Sequence, residues 1–474
     1  MRTRLDPLRW KALALLCLAQ FMVILDAQIV ILGLPSIETD LGLSAASGQW
    51  VMSAYLLSFG GLMLLGGRSA DLLGRRRMFM VGAALFLSSS LGCGLAWSGG
   101  VLIGARVVQG VSAAIMAPTA LSILMTTFEE GPERNKALGI WAAVGGTGAT
   151  AALLIGGPLT DGPGWEWIFF INIPVAIGLL AMSPRLLRES RGQLRERVYD
   201  LPGAVTVTAA LVLLVYGVVE APDAGWGDGQ TIGLLLASAV LMAVFTLQET
   251  RSAAPLLPLR MLKSPALVGG NLVLVALGMV AWGMSLTLSL YAQQVLGYTA
   301  FEFGLGTAAM TAMTLVGSIA GQSIVTRIGF RTVAAVGMAL TGAGCLLLTQ
   351  VSVHGSYLGD IFFALLVFGP GLGAAYVAAS VATLAGVREQ ESGLASGLNN
   401  AAFQIGGALG AAIVTTVAVS GANGSSPSAL TEGFQSAFAA AAVFAGLGLL
   451  VAILLLRTQR ERRPAAAEPA GGVV

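Results

Sequence analysis

Long apolar runs recur from one end of this chain to the other, and each is long enough to cross a bilayer as a helix. Only 11% of the 474 residues are charged, whereas a soluble domain carries about 25%. The chain therefore has too few charges to cover the surface of a soluble protein. Together these features predict an all-α polytopic membrane protein.

The apolar runs divide into fourteen predicted spans. Cytoplasmic segments of membrane proteins are enriched in Lys and Arg. With a cytoplasmic N-terminus, all but one of the 26 basic residues fall in the N-terminal arm, the loops after even-numbered spans or the C-terminal tail. The exception, Arg106, lies within the fourth span. We therefore predict both termini in the cytoplasm and spans at about 12–34, 48–66, 78–97, 101–126, 136–160, 166–184, 201–220, 230–248, 266–290, 301–326, 332–351, 357–386, 393–420 and 434–457.

Two pairs of segments match between the first and last thirds of the chain. Residues 65–82 (LGGRSADLLGRRRMFMVG) align with residues 320–337 (AGQSIVTRIGFRTVAAVG), and VVQGVSAA from Val107 aligns with LVFGPGLGAA from Leu366. Both pairs occupy equivalent places in the predicted topology. This equivalence favours a duplication over the alternative of a chance match between glycine-rich helices.

The duplication predicts the domain organisation. We expect an N-terminal six-helix bundle at 1–184, two inserted helices with their linkers at 185–264, a C-terminal six-helix bundle at 265–457 and a disordered cytoplasmic tail at 458–474. Duplicated halves related by an axis normal to the membrane are an architecture of secondary transporters, with the substrate site near the midplane.

The loop GGRSADLLGRRR (66–77) is the most specific motif in the sequence. Its glycines permit a tight turn at the membrane face, and Asp71 can accept from a helix N-terminus or pair with an arginine. Membrane anchoring of the arginines is the alternative, but it explains neither Asp71 nor the glycine spacing. The motif predicts a conformational latch, which breaks and re-forms as two domains rock, formed by Gly67, Asp71, Gly74, Arg75 and Arg76.

In this loop the sequence resembles the major facilitator superfamily, which carries the same pattern between its second and third helices. LDAQIVILGLP (25–35), WVMSAYLL (50–57), LIGARVVQGVSAA (102–114) and WEWIFFINIP (165–174) are similar to its fourteen-helix drug–proton antiporter branch, the EmrB/QacA type. The resemblance covers essentially the whole chain. It implies the major facilitator fold and proton-coupled efflux of lipophilic or amphipathic drugs or antibiotics from a bacterial cell. The implied energy source is the proton gradient, with no cofactor.

Several positions depart from the pattern of that branch. Leu72 stands at a usually basic position, Glu166 replaces an Arg between two tryptophans, and Gln28 and Ile31 replace a Thr and an Asn. In the fifth span, Ala152 and Leu153 replace a Gly-Pro pair, so the proline kink is missing. The small-residue packing face is retained, through Gly145, Gly148, Gly156 and Gly157.

Within the predicted spans, Asp26 is the most deeply placed carboxylate, and Arg106 is the most deeply placed basic residue. A charge inside the bilayer costs at least ~2.5–3.5 kcal/mol on insertion scales, so it marks a functional site by default. At 1.5 Å per residue, Asp26 lies roughly 12 Å and Arg106 roughly 7 Å below the outer ends of their helices. The difference is within side-chain reach, and in the family both helices line the central cavity. We therefore expect Asp26 and Arg106 to share a hydrogen-bonded network.

This network suggests a proton-coupling site. Burial disfavours a charged carboxylate, and a nearby cation favours it. If the solvation of Asp26 changes between inward- and outward-facing states, this residue can bind a proton on one side and release it on the other, with Arg106 as its partner. A static ion pair between two helices is the alternative. The other acids in or near spans are predicted to be solvated helix ends: Asp161, Glu166, Glu220, Glu302 and Asp360. For Glu302 and Asp360, attraction of cationic substrates is the alternative.

Candidate substrate contacts come from helices that are equivalent in the two halves. Adaptable Met, cation-holding aromatic rings and amides suit bulky amphipathic molecules, although such residues also pack helices together. The segment NNAAFQIGGALG (399–410) is the best of them, because its amides need partners inside a membrane. The candidates are Gln28, Tyr55, Met116, Asn271, Met279, Trp282, Tyr291, Gln294, Tyr376, Asn399, Asn400, Phe403 and Gln404.

Other functional classes fit less well. An importer or facilitator of a small polar metabolite would need a more polar cavity, and it remains the alternative transporter function. The single His and the three intramembrane Cys residues offer no metal site, and no catalytic cluster indicates an enzyme. No phosphate-binding GxxxxGK[ST] loop indicates an ATP-driven pump. The expected partners are small lipophilic substrates, protons and the lipid bilayer, without nucleic acid, and we expect a monomer.

Overall fold

The computed structural model describes residues 8–128, 132–190, 201–252, 255, 260–385, 387, 392–422, 424 and 426–456. The predicted tail at 458–474 and parts of the predicted cytoplasmic linkers lie outside these residues. Within helices, the surroundings of some residues, including Asp71, Gly145 and Leu153, are likewise outside the described part.

The described residues form fifteen α-helices. A short 3₁₀ turn (Met261–Lys263) precedes α10, and single π-helical turns follow α10 (Tyr291–Val295) and precede α13 (Tyr357–Ile361). The helices are α1 (Arg9–Leu41), α2 (Ala45–Leu73), α3 (Arg75–Gly94), α4 (Gly99–Thr127), α5 (Pro132–Asp161), α6 (Trp167–Phe170), α7 (Asn172–Leu186), α8 (Leu201–Ala224), α9 (Gly229–Arg251), α10 (Pro265–Leu290), α11 (Ala300–Ile328), α12 (Phe330–Leu348), α13 (Phe362–Leu384), α14 (Ser392–Gly421) and α15 (Pro427–Leu455).

Every predicted span coincides with one of these helices, and α6 and α7 together form the sixth. Within the described residues, 11 helical segments are long and apolar enough to cross a membrane. The helices α2, α5 and α8 are not among them, although the apolar stretch Val205–Val218 lies within α8. The all-α membrane fold is therefore confirmed, and fourteen crossings remain a prediction.

The matched glycines of the repeat occupy equivalent contacts in the structure. A Cβ on Gly66 would overlap the backbone of α4 at Ala114, and one on Gly321 would lie 2.9 Å from the Cα of Ala374 in α13. One step further along each repeat, Gly82 packs on α4 and Gly337 packs on α13. The helices α2, α3 and α4 thus pack together as α11, α12 and α13 do, which supports a duplication.

The N-terminal half (α1–α7) and the C-terminal half (α10–α15) meet toward the side of the membrane that the charge pattern predicts to be outside. At this side, Ser289 Oγ in α10 donates to the carbonyl oxygen of Ile31 in α1, at 3.0 Å. Asp161 at the end of α5 contacts the first turn of α11. Nearer the midplane, Ser53 Oγ in α2 lies 3.5 Å from the carbonyl oxygen of Ala408 in α14. These contacts close the outer side.

The inserted helix α8 lies against both halves. Its Thr208 packs on Gly61 of α2, where a Cβ would lie 2.6 Å from the Thr208 Oγ1. On the other half, Thr416 Oγ1 of α14 donates to the carbonyl oxygen of Val218 at 3.3 Å. The helix α9 packs on α8, where Ser238 Oγ donates to Ala210 at 2.7 Å. Thus α8 covers the seam between α2 and α14, with α9 outside it.

Candidate functional site

Asp26 and Arg106 form a direct ion pair inside the N-terminal half. Arg106 Nη1 lies 2.7 Å from Asp26 Oδ2, and neither side chain is exposed. The pair joins α1 to α4, and both residues lie on the buried faces of their helices. The contact predicted from helix depth is therefore confirmed, and its role in proton coupling stays a prediction.

Two amides complete the surroundings of the Asp26 carboxylate. Its Oδ1 accepts from Gln109 Nε2 in α4 and from Asn172 Nδ2 at the start of α7, each at 2.8 Å. Gln109 and Asn172 are almost completely buried. The carboxylate thus has three donors from two helices, which is an arrangement that stabilises its charged form.

Gln109 also extends the network into α3. Its Oε1 accepts from Arg106 Nη1 at 2.8 Å and from the Cys93 thiol at 3.5 Å, while its Nε2 donates to Ser90 Oγ at 2.9 Å. Both ends of this amide are therefore occupied, and its orientation is determined by its neighbours.

Aromatic rings and one backbone carbonyl surround the guanidinium of Arg106. Its Nε donates to the carbonyl oxygen of Val51 at 3.0 Å. Its Cζ lies 4.3 Å from the ring centroid of Tyr55 and 5.7 Å from that of Phe169, which is a favourable position for a cation. The Nη2 group has no hydrogen-bond partner among the described residues. The cation is thus held by one carboxylate, the amide oxygen of Gln109, one backbone carbonyl and two rings.

The segment between α6 and α7 positions Asn172. Pro174 lacks an N–H group, so it cannot donate the helical bond to the carbonyl of Phe170. The helix is interrupted at Ile171, and α7 begins at Asn172. Phe169 before the interruption contacts Arg106, and Asn172 after it contacts Asp26. One short segment therefore contacts both members of the ion pair.

At the end of the N-terminal half that the charge pattern predicts to be cytoplasmic, Glu189 contacts the N-terminus of α3. Its Oε1 accepts from the backbone N–H of Arg76 at 3.1 Å, and its Oε2 lies 3.8 Å from Arg76 Nε. The backbone N–H of Arg75 donates to the carbonyl oxygen of Ser190 at 2.9 Å. Carboxylates stabilise helix N-termini in this way. The segment after α7 therefore binds the N-terminus of α3.

The predicted latch residues lie beside this contact. Gly74 joins α2 to α3 with a φ of 113°, which favours glycine, and Gly67 packs against Pro118. The side chain of Asp71 lies outside the described part of the chain, so its predicted role stays a prediction. Glu189 was missed, because nothing in its local sequence places it beside α3.

The glycines of α5 face two different helices. A Cβ on Gly148 would lie 3.2 Å from Ile24, and one on Gly156 would lie 2.7 Å from Ile29, both in α1. Gly157 instead packs against the backbone of Phe301 in α11. The packing face thus joins helices within one half and also joins the two halves, while the predicted contribution of Gly145 lies outside the described side chains.

Several predicted substrate residues are packing residues in this structure. Met116 is completely buried against Gly82. Tyr291 is also fully buried and donates to the carbonyl oxygen of Ser352 at 2.7 Å. Tyr55 is buried beside Arg106, as described above. All three side chains pack against protein in this conformation, and their predicted contact with substrate stays a prediction.

The remaining substrate candidates have varied surroundings, and their role stays a prediction. Gln294 is exposed in the π-helical turn that follows α10, whereas Gln28 is partly buried. Trp282 packs on Gly407, and Tyr376 contacts Phe403 edge-to-face at 5.4 Å. The buried amides are Asn271, Asn399 and Gln404, and Asn400 and Met279 are partly buried.

One acid at an exposed helix end also makes a contact between the two halves. Asp161 Oδ2 accepts from the backbone N–H of Phe301 at 3.0 Å, and its Oδ1 lies 3.4 Å from that of Ala300. Asp161 is exposed at the end of α5, as predicted, but its contact with α11 was not predicted, because the contact depends on how the halves meet. Glu302 forms a capping box with Thr299, and Asp360 accepts from the backbone N–H of Ser356 at 2.8 Å.

Asn172 and Gln109 are the site residues that sequence reasoning did not assign. Gln109 lies in LIGARVVQGVSAA (102–114) and Asn172 in WEWIFFINIP (165–174), and each is an amide within an apolar span. An amide inside a membrane needs a hydrogen-bond partner. This signal was present, but it does not identify the partner.

Comparison with known proteins supports one family. The family model of the Major Facilitator Superfamily matches residues 16–320 and 271–473. The chain is 38% identical over 465 residues to the puromycin resistance protein pur8 of Streptomyces alboniger, which covers 95% of this chain and 91% of that protein. It is also 38% identical over 438 residues to the cephamycin export protein CmcT of Amycolatopsis lactamdurans, covering 91% and 90%. The lincomycin resistance protein of Streptomyces lincolnensis is 32% identical over 462 residues, covering 97% and 93%.

Solved structures support the same fold. A bacterial homologue of the human lysosomal transporter Spinster, in an inward-facing and unoccupied conformation, matches with a TM-score of 0.68 at 17% identity, covering 95% of this chain and 97% of that chain. An auto-inhibited peptide transporter of the POT family matches with a TM-score of 0.69 at 14% identity, covering 96% and 99%. At these identities the likeness concerns the fold. With its apolar helices, its duplicated halves and these relatives, the chain is a multi-pass bacterial membrane protein that belongs to the Major Facilitator Superfamily.

Proposed function

We propose that this protein exports antibiotics or other lipophilic and amphipathic compounds from the bacterial cell in exchange for protons. The observation that carries the proposal is the fully buried Asp26–Arg106 pair in a chain whose relatives are antibiotic resistance and export proteins. A buried carboxylate that can bind and release a proton supplies the coupling that an antiporter needs. The chain acts as a transporter without enzymatic activity or a bound cofactor, and one copy holds both halves.

Alternating access supplies the mechanism. In the conformation with the outer side closed, Asp26 is charged and is held by its three donors. Substrate enters from the cytoplasmic side, and the halves then rock so that the outer side opens. Asp26 binds a proton from outside as substrate leaves, and it releases that proton inside after the return. Each cycle therefore moves protons inward and substrate outward.

Transport in cells tests the export. An efflux-deficient bacterial host that expresses the chain should tolerate more puromycin and lincomycin than a host with an empty vector. It should also accumulate less of a fluorescent lipophilic dye, and an uncoupler should reverse that difference. No difference for any of these compounds would contradict drug export.

Proteoliposomes test the coupling. With a pH-sensitive dye enclosed, addition of a transported compound should move protons with the wild-type protein and should not do so with Asp26→Asn. Protein amounts in the membrane are compared in parallel. Full proton movement with Asp26→Asn would contradict the role of this carboxylate.

A further inference from the structure

We propose that Asn172 is a positioning residue that responds to the protonation state of Asp26. When Asp26 binds a proton, the amide of Asn172 turns so that its oxygen accepts a hydrogen bond from the carboxyl group. This inference rests on the proposed proton coupling and adds a residue to it.

Within the described part of the chain, every side chain bonded to Asp26 is a donor. Oδ2 accepts from Arg106, and Oδ1 accepts from Gln109 and Asn172. A charged carboxylate can only accept, so each amide directs its nitrogen toward it. This environment fits the charged form of Asp26.

Protonation gives Asp26 one donor of its own. A proton on Oδ1 would face two N–H groups, and a proton on Oδ2 has no acceptor among these three partners. A buried donor without a partner costs free energy. One of the neighbours therefore has to present an acceptor if the neutral carboxyl is to be accommodated.

Arg106 and Gln109 cannot supply that acceptor. A guanidinium has only donors. If the amide of Gln109 turned, its nitrogen would face Arg106 Nη1, which now donates to its oxygen at 2.8 Å. Its oxygen would also lose the hydrogen bond that it accepts from the Cys93 thiol.

Asn172 can supply it. Its bond to Asp26 is the one side-chain hydrogen bond that the described structure assigns to it, so turning the amide breaks no other one. The turned Oδ1 would stand where Nδ2 now stands and would accept the O–H of the neutral carboxyl. Asn172 thus exchanges donation for acceptance as Asp26 gains a proton.

Asn172 is the first residue of α7, so the change from donor to acceptor takes place at the start of this helix. Asn172 begins α7 directly after the interruption at Ile171, two residues before Pro174. Phe169, before the interruption, lies near Arg106. A change at the carboxyl group therefore acts on the segment between α6 and α7, where the helical hydrogen bonds are already interrupted.

Infrared difference spectroscopy of the full-length protein in lipid nanodiscs tests this inference without any transported compound. The band of the protonated Asp26 carboxyl is obtained from the difference between the spectra at low and at high pH. It is identified by its loss in Asp26→Asn or in the Asp26→Asn/Arg106→Gln double variant. We expect Asn172→Leu, which has a similar shape but no polar group, to move this band to higher frequency because the carboxyl has one hydrogen bond fewer. Asn172→Ser, whose hydroxyl donates and accepts, should restore the wild-type position.

A matched control is Asn271→Leu, a buried amide in α10 that donates to Leu267 of its own helix. It should leave the Asp26 band in place. An unmoved band in Asn172→Leu would overturn the inference. So would the absence of any band that depends on Asp26, since no proton would then be bound there.

Transport separates a positioning role from a structural one. In proteoliposomes with puromycin as the probe, Asn172→Leu should lower proton-driven transport about tenfold, the effect of losing a hydrogen bond to a charged group. Exchange of labelled for unlabelled puromycin at equal pH needs no net proton movement and should change far less. Equal losses in both assays would overturn the inference. A wild-type protein that transports no probe would contradict the proposed function, while the infrared result would still decide the role of Asn172.

Discussion

The carboxylate of Asp161 at the end of α5 accepts a hydrogen bond from the backbone N–H of Phe301 in the first turn of α11, at 3.0 Å. The contact joins the N-terminal half to the C-terminal half at the closed outer side. The N-terminus of a helix has unpaired N–H groups and favours a negative charge. The capping box of Thr299 and Glu302 satisfies other N–H groups of the same turn. Asp161 of the N-terminal half therefore completes the N-terminal cap of α11 in the C-terminal half.

Replacing Asp161 should favour the outward-open conformation. We expect Asp161→Ala to lose about 1 kcal/mol of closing free energy, which corresponds to about a fivefold change in the ratio of open to closed molecules. Spin labels at Leu95→Cys and Leu358→Cys, both 64% exposed in the wild type and on different halves, should report a larger population of long distances.

A suitable control for that experiment is Asp360→Ala. Asp360 also accepts from a backbone N–H group, that of Ser356, but both residues belong to the C-terminal half. It should leave the distance distribution unchanged. An unchanged distribution in Asp161→Ala itself would show that the cap does not hold the outer side closed.

The ion pair should show strong coupling in stability. Asp26→Asn leaves the guanidinium of Arg106, which cannot lose its proton, buried without a carboxylate. Breaking a buried pair in this way typically costs about 3–5 kcal/mol, whereas replacing both charges is often nearly neutral. The double variant Asp26→Asn/Arg106→Gln should therefore unfold at a higher temperature than Asp26→Asn in the same detergent. Additive losses would mean that the two charges do not stabilise each other.

Gly110 should tolerate no side chain. A Cβ there would overlap Ser58 Oγ and the carbonyl oxygen of Tyr55 in α2, and overpacking of this kind costs about 1–3 kcal/mol. Gly369, its counterpart in the repeat, has the same relation to Met310 of α11. We expect Gly110→Ala and Gly369→Ala each to lower the thermal unfolding temperature.

Gly104 is the matched control in the same helix as Gly110. No atom lies within 4 Å of a Cβ placed there, so Gly104→Ala should leave the unfolding temperature nearly unchanged. If Gly110→Ala were equally neutral, the close approach of α2 and α4 would not depend on glycine.

Glu189 should stabilise the N-terminus of α3. Loss of a helix cap costs about 1 kcal/mol, so Glu189→Ala should speed hydrogen exchange of the backbone amides of Arg76 and its neighbours. Arg77 Nε lies 4.0 Å from the same carboxylate, but its side chain is 69% exposed, and such pairs contribute little. Arg77→Gln should therefore leave this exchange almost unchanged. Equal exchange in the wild type and Glu189→Ala would show that Glu189 does not stabilise the N-terminus of α3.

Much of the fold follows from local properties of the sequence. Span-length apolar runs locate the helices, because a membrane-spanning segment has to satisfy its backbone hydrogen bonds within itself. The distribution of Lys and Arg predicts the orientation. The repeat predicts equivalent packing, and Gly66 and Gly321 occupy matching contacts because both stand where two helix backbones approach closely.

The sequence by itself also determined the core of the site. Two charges within apolar spans had to pair or remain costly, so Asp26 and Arg106 could be matched by their depth together with the family resemblance, which places both helices at the central cavity. Partners that act across the chain were decided only by the tertiary structure. Asn172 reaches Asp26, Glu189 reaches α3 and Asp161 reaches α11 because folding brings distant segments together. A hydrogen bond depends on position to within a fraction of an ångström, and local patterns carry no such information about residues far apart in the sequence.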